Sequence, residues 1–171
     1  MGSRSGQSQW AVSVVSFQSQ WSIEVSEGSF QSLCSQKIYN RVFRKFKNMD
    51  FKDLIVYKKS FSLAMQVYEV SKKFPKEEKY SLTDQIRRSS RSVCANIAEA
   101  YRKRLYIKNF ISKLTDSDAE NSETTVWLDF ALECNYLRME NHTQMLNESA
   151  EIGRLLNFMI QNPEKFGCKK E

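Results

Sequence analysis

The chain has 171 residues, 27% of them charged and 41% apolar, a composition typical of a folded domain with a hydrophobic core. Its formal net charge is +6. Four scattered cysteines form no CxxC pair and stand apart from the single histidine, which argues against a zinc site and a disulfide framework. No apolar run approaches the roughly 20 residues that a membrane-spanning helix needs. We therefore expect a cytoplasmic protein with reduced thiols, no cofactor and no membrane partner.

The first 48 residues differ in composition from the rest of the chain. They contain eleven serines and six glutamines, with no sustained helical or strand period. We interpret residues 1–48 either as a disordered tail or as an extension from a start site assigned too far upstream, since the patterned sequence opens at Met49. The basic and aromatic stretch at residues 39–47 is also a candidate nucleic-acid-binding arm. The predicted domain spans residues 49–166, and residues 167–171 form a short tail.

Apolar residues recur at intervals of three and four in four stretches after Met49, which is the period of amphipathic helices. Phe74-Pro75 ends the first stretch, because the residue before a proline avoids the α region. Short links make successive helices antiparallel, so the pattern predicts an all-α, up-down-up-down antiparallel four-helix bundle. The apolar stripe of the first helix runs from Leu54 to Ser71, and that of the fourth, which ends before Pro163, runs from Met145 to Met159. The second helix is predicted from about Glu77 to Arg104 and the third from near Ile107 to about Asn135.

One face of the second predicted helix carries a row of polar side chains, which suits either a helix that reads nucleic acid or a polar seam inside the bundle. The third helix presents Glu120, Glu123 and Thr124 on one face. We favour a buried seam in which Arg88 and Asn96 pair with these groups, inside the bundle or across a subunit contact. The polar row consists of Gln85, Arg88, Ser92, Asn96 and Glu99.

Charge is segregated along the domain. Residues 85–113 contain eight Lys or Arg and one Glu, whereas residues 114–151 contain nine Asp or Glu and one Arg. One interpretation is a phosphate-facing patch with Tyr101 and Tyr106 available to stack on bases. The alternative is a solvated helix end, or a surface that matches the acidic third helix of a neighbouring copy. The candidate nucleic-acid-binding residues are Arg87, Arg91, Arg102, Lys103, Arg104 and Lys108.

The sequence carries no recognisable catalytic motif. His142 is the single histidine, and we expect it at the surface or at the start of the fourth helix, beside no nucleophile motif. Glu120 and Glu123 could in principle hold a metal ion or share a proton. Di-iron bundles, however, use two Glu-x-x-His pairs, and one histidine cannot supply both. No glycine-rich phosphate loop is present either, so we expect no enzymatic activity.

The region from Met49 to about Phe166 resembles a family of small bacterial four-helix-bundle proteins related to the rRNA intervening-sequence protein. The family motifs run F-P-x-x-E-x-x-x-L-x-x-Q-x-x-R, then S-x-x-x-N-I-A-E-G, then a Glu-rich third helix. Two departures are Ala100, in place of the usual glycine, and the stretch 118–121, where many relatives have a small residue. The motifs are met here by Phe74, Pro75, Glu78, Leu82, Gln85, Arg88, Ser92, Asn96, Ile97, Ala98 and Glu99.

The resemblance implies a homo-oligomeric ring, pentameric in characterised relatives. It also implies an RNA or DNA partner, in one of two settings: an rRNA intervening sequence, or an accessory role beside a reverse transcriptase in a diversity-generating retroelement. The alternative function is a structural assembly subunit that binds a protein partner and no nucleic acid. Independently of the resemblance, large aromatic residues exceed what one small core needs, and we expect some at subunit contacts. These residues are Tyr101, Tyr106, Trp127 and Phe130.

Overall fold

The computed structural model describes residues 50–168, which form four α-helices joined by short turns. The predicted tail at residues 1–48 lies outside this part of the chain. Single turns of 3₁₀ helix stand before the first helix, between the first two helices and after the last, at Phe51–Asp53, Lys76–Tyr80 and Pro163–Phe166. The four helices are α1 (Ile55–Ser71), α2 (Leu82–Arg102), α3 (Ile107–Glu133) and α4 (Met139–Gln161).

Each helix packs against the next one in the chain, and α4 returns to pack against α1. The domain is therefore an all-α, up-down-up-down four-helix bundle, and the predicted fold class is confirmed. The second helix begins at Leu82 rather than at Glu77. The reason is local: the preceding residues form a 3₁₀ turn, and the carboxylate of Glu78 accepts a hydrogen bond from the Leu82 N–H at 3.3 Å.

The core is built from the apolar stripes that face the bundle axis. Ile86 and Ile97 of α2 are fully buried and pack in one cluster with Leu114 of α3. Ala100 is also fully buried, and α2 continues past it to Arg102, so the helix does not end at this position. Within residues 50–168, no helix combines the length and the apolar character needed to cross a membrane.

Five small polar side chains form an inner polar layer among α2, α3 and α4. Asn121 donates to the backbone carbonyl of Ser149 at 3.1 Å, and the Ser149 hydroxyl donates back to the Asn121 side-chain oxygen at 3.0 Å. Thr124 and Ser89 join their hydroxyls at 3.0 Å. Ser117 donates across the α2–α3 contact to the backbone carbonyl of Val93 at 3.0 Å. The inner polar layer, which consists of Ser89, Ser117, Asn121, Thr124 and Ser149, is buried and hydrogen-bonded.

Candidate nucleic-acid interface

The polar row of α2 lies beside α3, but at the edge of the contact rather than inside it. An Arg88 Nη2 donates to the Glu123 carboxylate at 2.8 Å, and the Trp127 indole N–H donates to the same oxygen at 3.0 Å. The Gln85 side-chain oxygen accepts a further hydrogen bond from Arg88. Yet the Arg88 side chain remains 50% exposed. The two helices are thus bridged at a solvated edge.

The rest of the row differs from the buried seam that we expected. Ser92 and Asn96 are half-buried, and their side chains form no hydrogen bond with any residue between positions 50 and 168. Glu99 pairs with Lys103 on its own helix and with Lys113 of α3, and these hydrogen bonds lower the pKa of its carboxyl. The row lies about 120° around the α2 axis from the core-facing positions. The expectation that it is buried is therefore wrong for the single chain.

One carboxylate at this edge is incompletely paired. The Oε1 atom of Glu120 lies 3.8 Å from an Arg88 Nη1, beyond hydrogen-bond distance, while its Oε2 atom is buried with no partner among the described residues. Burial raises the pKa of the Glu120 carboxyl. The Glu120 carboxylate therefore adds to the acidic edge of α3 without forming a hydrogen bond with the described residues.

The structure separates the six candidate cationic residues into two groups. One group, the turn cluster, surrounds the end of α2. Arg102 pairs with Asp50 at 3.0 Å, and Lys103 pairs with Glu99. Arg104 donates to the backbone carbonyl of Tyr101 at 2.6 Å and lies over its ring. The turn cluster consists of Arg102, Lys103, Arg104 and Lys108, all exposed except Arg104, which is half-buried.

The second group, the tyrosine cluster, joins α1 and α2. The Lys72 ammonium lies 4.6 Å from the centre of the Tyr68 ring, and the guanidinium carbons of Arg87 and Arg91 lie 5.1 and 5.8 Å from it. Lys72 also pairs with Glu69 on α1. Within residues 50–168, no carboxylate forms an ion pair with Arg87 or Arg91. The tyrosine cluster consists of Tyr68, Lys72, Arg87 and Arg91.

Sequence reasoning missed the two residues that α1 contributes to this cluster. Tyr68 and Lys72 are four positions apart, so they share one face near the end of α1, and a basic residue above an aromatic one at this spacing was the available signal. The sequence could not show that this face meets Arg87. The Arg87 Nε donates to the Ser71 hydroxyl at 2.7 Å, which holds the guanidinium over the α1–α2 contact.

The two clusters lie on the same side of α2. Arg87, Arg91 and Arg102 fall within about 60° of one another around the helix axis, and the first and last are separated by roughly 22 Å along it. Between the two clusters, this side of α2 carries Cys94 and Ala98, whose small side chains protrude little from the helix. We call the two clusters together the basic face. Its length spans several phosphates of a nucleic-acid strand.

The aromatic residues predicted to stack on bases are only partly available. Tyr101 is 1% exposed and belongs to the core, so its proposed roles in stacking and in a subunit contact are wrong. Tyr106, by contrast, is 67% exposed in the α2–α3 turn, and Phe130 is 53% exposed on α3. Trp127 is half-buried against the core.

The single histidine is engaged in a structural contact. His142 lies in the first turn of α4, as expected, but it is buried rather than at the surface. Its Nε2 atom lies 2.7 Å from a carboxylate oxygen of Asp129 on α3. In the part of the chain that the structure describes, no group of His, Cys, Asp and Glu side chains has the arrangement of a metal site.

The chain is similar to proteins of one helical family. Residues 52–158 match the family model described as 23S rRNA-intervening sequence protein. The crystal structure of a protein of unknown function from the S23 ribosomal protein family of Bacteroides thetaiotaomicron superposes with a TM-score of 0.58 at 33% sequence identity. That match covers 64% of this chain and 98% of the other. No curated protein matches the chain.

Proposed function

Because the chain belongs to the 23S rRNA-intervening sequence protein family, we propose that it is a non-catalytic protein that binds the phosphate backbone of nucleic acid through its basic face. The observation that carries this proposal is the tyrosine cluster, in which Lys72, Arg87 and Arg91 surround one ring. Like charges held this close repel one another, and the ring offsets the repulsion only in part. An anionic ligand removes that repulsion.

The arrangement favours contacts with the backbone over reading of the bases. Lysine and arginine side chains on a helix surface contact phosphates whatever the base sequence. The Tyr68 ring is covered by the cations around it, and Tyr101 is buried. Of the tyrosines considered for stacking, Tyr106 is exposed enough to meet a base. The family name refers to an intervening sequence in 23S rRNA, so structured RNA is the first ligand to test.

The test compares RNA binding by the full chain and by two double variants that remove the same charge. Arg87→Gln with Arg91→Gln removes two cations from the basic face, whereas Arg138→Gln with Arg154→Gln removes two exposed arginines from the region of α4. Fluorescence anisotropy with a structured RNA is recorded at several salt concentrations. We expect the first variant to lower the slope of log affinity against log salt by about two units and the second to leave it nearly unchanged.

Two results of this experiment would count against RNA binding through the basic face. Failure of the unmodified chain to bind RNA at low salt contradicts the proposed function itself. Equal losses in the two double variants show that only net charge matters, and that the basic face has no special part in binding. Circular dichroism of each variant checks that the helices are intact.

We also propose that the chain self-associates into a closed homo-oligomer. Phe61 and Met65 of α1 are 52% and 43% exposed and line a groove against α4, which gives a second copy an apolar surface to cover. A ring of five subunits and a reverse transcriptase partner rest on the family resemblance alone. Light scattering of the full chain tests assembly, since a monomer at tens of micromolar excludes the ring.

The alternative function is an assembly subunit whose partner is a protein. The same exposed apolar residues favour it, because such surfaces mark protein contacts. Nuclease treatment during purification distinguishes the two functions. Under the assembly hypothesis the oligomer and any captured protein survive the treatment. Stoichiometric nucleic acid that co-purifies at moderate salt favours backbone binding instead.

A further inference from the structure

A shallow pocket opens on the outer side of α2, next to the tyrosine cluster. Three arginines on two successive helical turns line it together with a serine and one aspartate. We call it the arginine pocket. Its lining residues are Asp84, Arg87, Arg88, Arg91, Ser92 and Ala95.

Two of the three guanidinium groups are held in place by neighbouring helices. Arg87 is fixed by its hydrogen bond to the hydroxyl of Ser71 on α1. Arg88 is fixed on the opposite side by Glu123 of α3, at 2.8 Å. Arg91 lies one turn further along α2 and is exposed. Fixing the donors before binding lowers the entropy lost when a ligand arrives.

From this arrangement we infer that the arginine pocket binds a terminal phosphate, a phosphomonoester at the end of an RNA strand. The inference rests on the proposed function, because it names the part of the nucleic acid that this portion of the basic face recognises. A phosphomonoester carries a charge of roughly −1.5 to −2 at pH 7, against −1 for each internal phosphodiester. Guanidinium groups also match the geometry of phosphate oxygens in pairs. Arg87, Arg88 and Arg91, which line one pocket, suit one strongly charged group.

The aspartate in the lining distinguishes the end of a strand from a continuous backbone. Asp84 lies one turn before Arg87 and Arg88 and lines the same pocket. A strand that runs through the pocket brings a second phosphate towards this carboxylate, which repels it. At a strand end, a ribose hydroxyl can stand there instead and donate a hydrogen bond to Asp84. The ligand class is therefore a phosphorylated ribonucleotide end.

The experiment measures binding of one short single-stranded RNA to the full chain in three forms: with a 5′-phosphate, with a 3′-phosphate, and with hydroxyls at both ends. We expect one phosphorylated form to bind at least tenfold more tightly than the hydroxyl form. Arg91→Gln should abolish that preference, and Arg154→Gln, the matched control on α4, should keep it. Asp84→Asn should reduce the preference by strengthening binding of the hydroxyl form.

Competitors identify the source of the phosphate. A nucleoside monophosphate or inorganic phosphate in large excess should remove the preference for the phosphorylated RNA and leave binding of the hydroxyl form unchanged. Equal affinity for the three RNAs overturns the inference and leaves the proposed function standing. Failure of all three RNAs to bind contradicts both the inference and the proposed function. Binding of free nucleotide as tightly as phosphorylated RNA assigns the pocket to a small molecule, and equally tight binding of a phosphoserine peptide assigns it to a protein partner; either result overturns the inference.

Discussion

The polar groups on the two sides of α2 differ in the partners that they have within the chain. On the inner side, Ser89 is fully buried and meets Thr124, so that hydroxyl faces hydroxyl at 3.0 Å. On the outer side, Arg87 and Arg91 converge on the Tyr68 ring, and neither has a carboxylate partner among residues 50–168. The first arrangement is satisfied within the chain. The second has no carboxylate within the described part of the chain to balance Arg87 and Arg91 and carries a concentrated positive charge.

Under the proposed function, this difference separates a structural role from a binding role within one helix. Buried polar groups need partners, because an unpaired one costs roughly 1–3 kcal/mol. Exposed cations need none for stability, so their close approach to one another points to a ligand. Changes to the inner polar layer should therefore alter the free energy of unfolding. Changes to the basic face should alter binding and leave unfolding almost unchanged.

The largest effect on stability is expected at Asn121. Replacing Asn121 by alanine removes both of its hydrogen bonds to Ser149 and leaves the buried Ser149 hydroxyl without this acceptor. We expect the free energy of unfolding to fall by about 2–3 kcal/mol, measured by urea denaturation. Asn157→Ala is the control, because that exposed amide bonds only the Gly153 carbonyl of its own helix. Similar losses in the two variants would remove the distinction between the inner layer and the surface.

A smaller loss is expected at Thr124. Valine keeps the shape of threonine but removes the hydroxyl that lies 3.0 Å from Ser89 and 2.9 Å from the Glu120 carbonyl. We expect Thr124→Val to lower the free energy of unfolding by about 1 kcal/mol. The neighbouring Thr125, which bonds the carbonyl of Ser122 at the exposed side of α3, supplies the control Thr125→Val. A Thr124 variant as stable as its control would show that the buried hydroxyl contact contributes nothing.

Asn96 tests whether the polar row is covered by a second copy. In the single chain its side chain is half-buried and forms no hydrogen bond with the described residues, so Asn96→Leu should change stability by no more than about 0.5 kcal/mol. Thermal unfolding at several protein concentrations is the measurement. A loss that grows with protein concentration would place the row at a subunit contact. A loss of 1–3 kcal/mol at every concentration would restore the buried seam within the chain.

The smallest effect is a pH dependence at Glu120. Burial raises the pKa of this carboxyl in the folded chain, so the folded state holds its proton more tightly than the unfolded state does. The stabilisation is complete below the ordinary pKa and is lost as the pH rises through the raised value. The Glu120→Gln variant lacks this pH-dependent stabilisation. Its free energy of unfolding, relative to that of the unmodified chain, should therefore rise between pH 4 and pH 7. Urea denaturation at both pH values measures the change, and parallel curves would contradict it.

Sequence periodicity was sufficient to predict the helices, but not to predict which polar side chains are buried. The core positions Ile86, Val93 and Ile97 are apolar and repeat regularly, so their phase around α2 can be read directly. The row beginning at Gln85 and Arg88 repeats with the same spacing. Whether its side chains are buried depends on their angular position around α2 relative to the core residues. Ser89, one position beyond Arg88, is the residue that is buried. Serine occurs equally well in either place, so its identity does not signal burial.

The candidate site was harder to predict because it joins two helices. The charge excess in residues 85–113 drew attention to Arg87 and Arg102, which lie far apart on α2. It did not indicate which cations already have partners: Arg102 pairs with Asp50, whereas Arg91 has no carboxylate. Pairing across helices depends on the rotation of α1 against α2. A one-dimensional pattern does not contain that rotation.

The order in which the helices pack has a consequence for folding kinetics. Contacts between successive helices need only short loops to close, and folds dominated by such local contacts form in microseconds to milliseconds. The α1–α4 contact joins residues much further apart in the chain, as in the pair between Lys59 and Glu151 at 2.9 Å. Closing so long a loop costs more chain entropy, so this contact should form late. The groove at Phe61 and Met65 borders that late-closing contact, so it is the part of the bundle through which partly folded chains would meet.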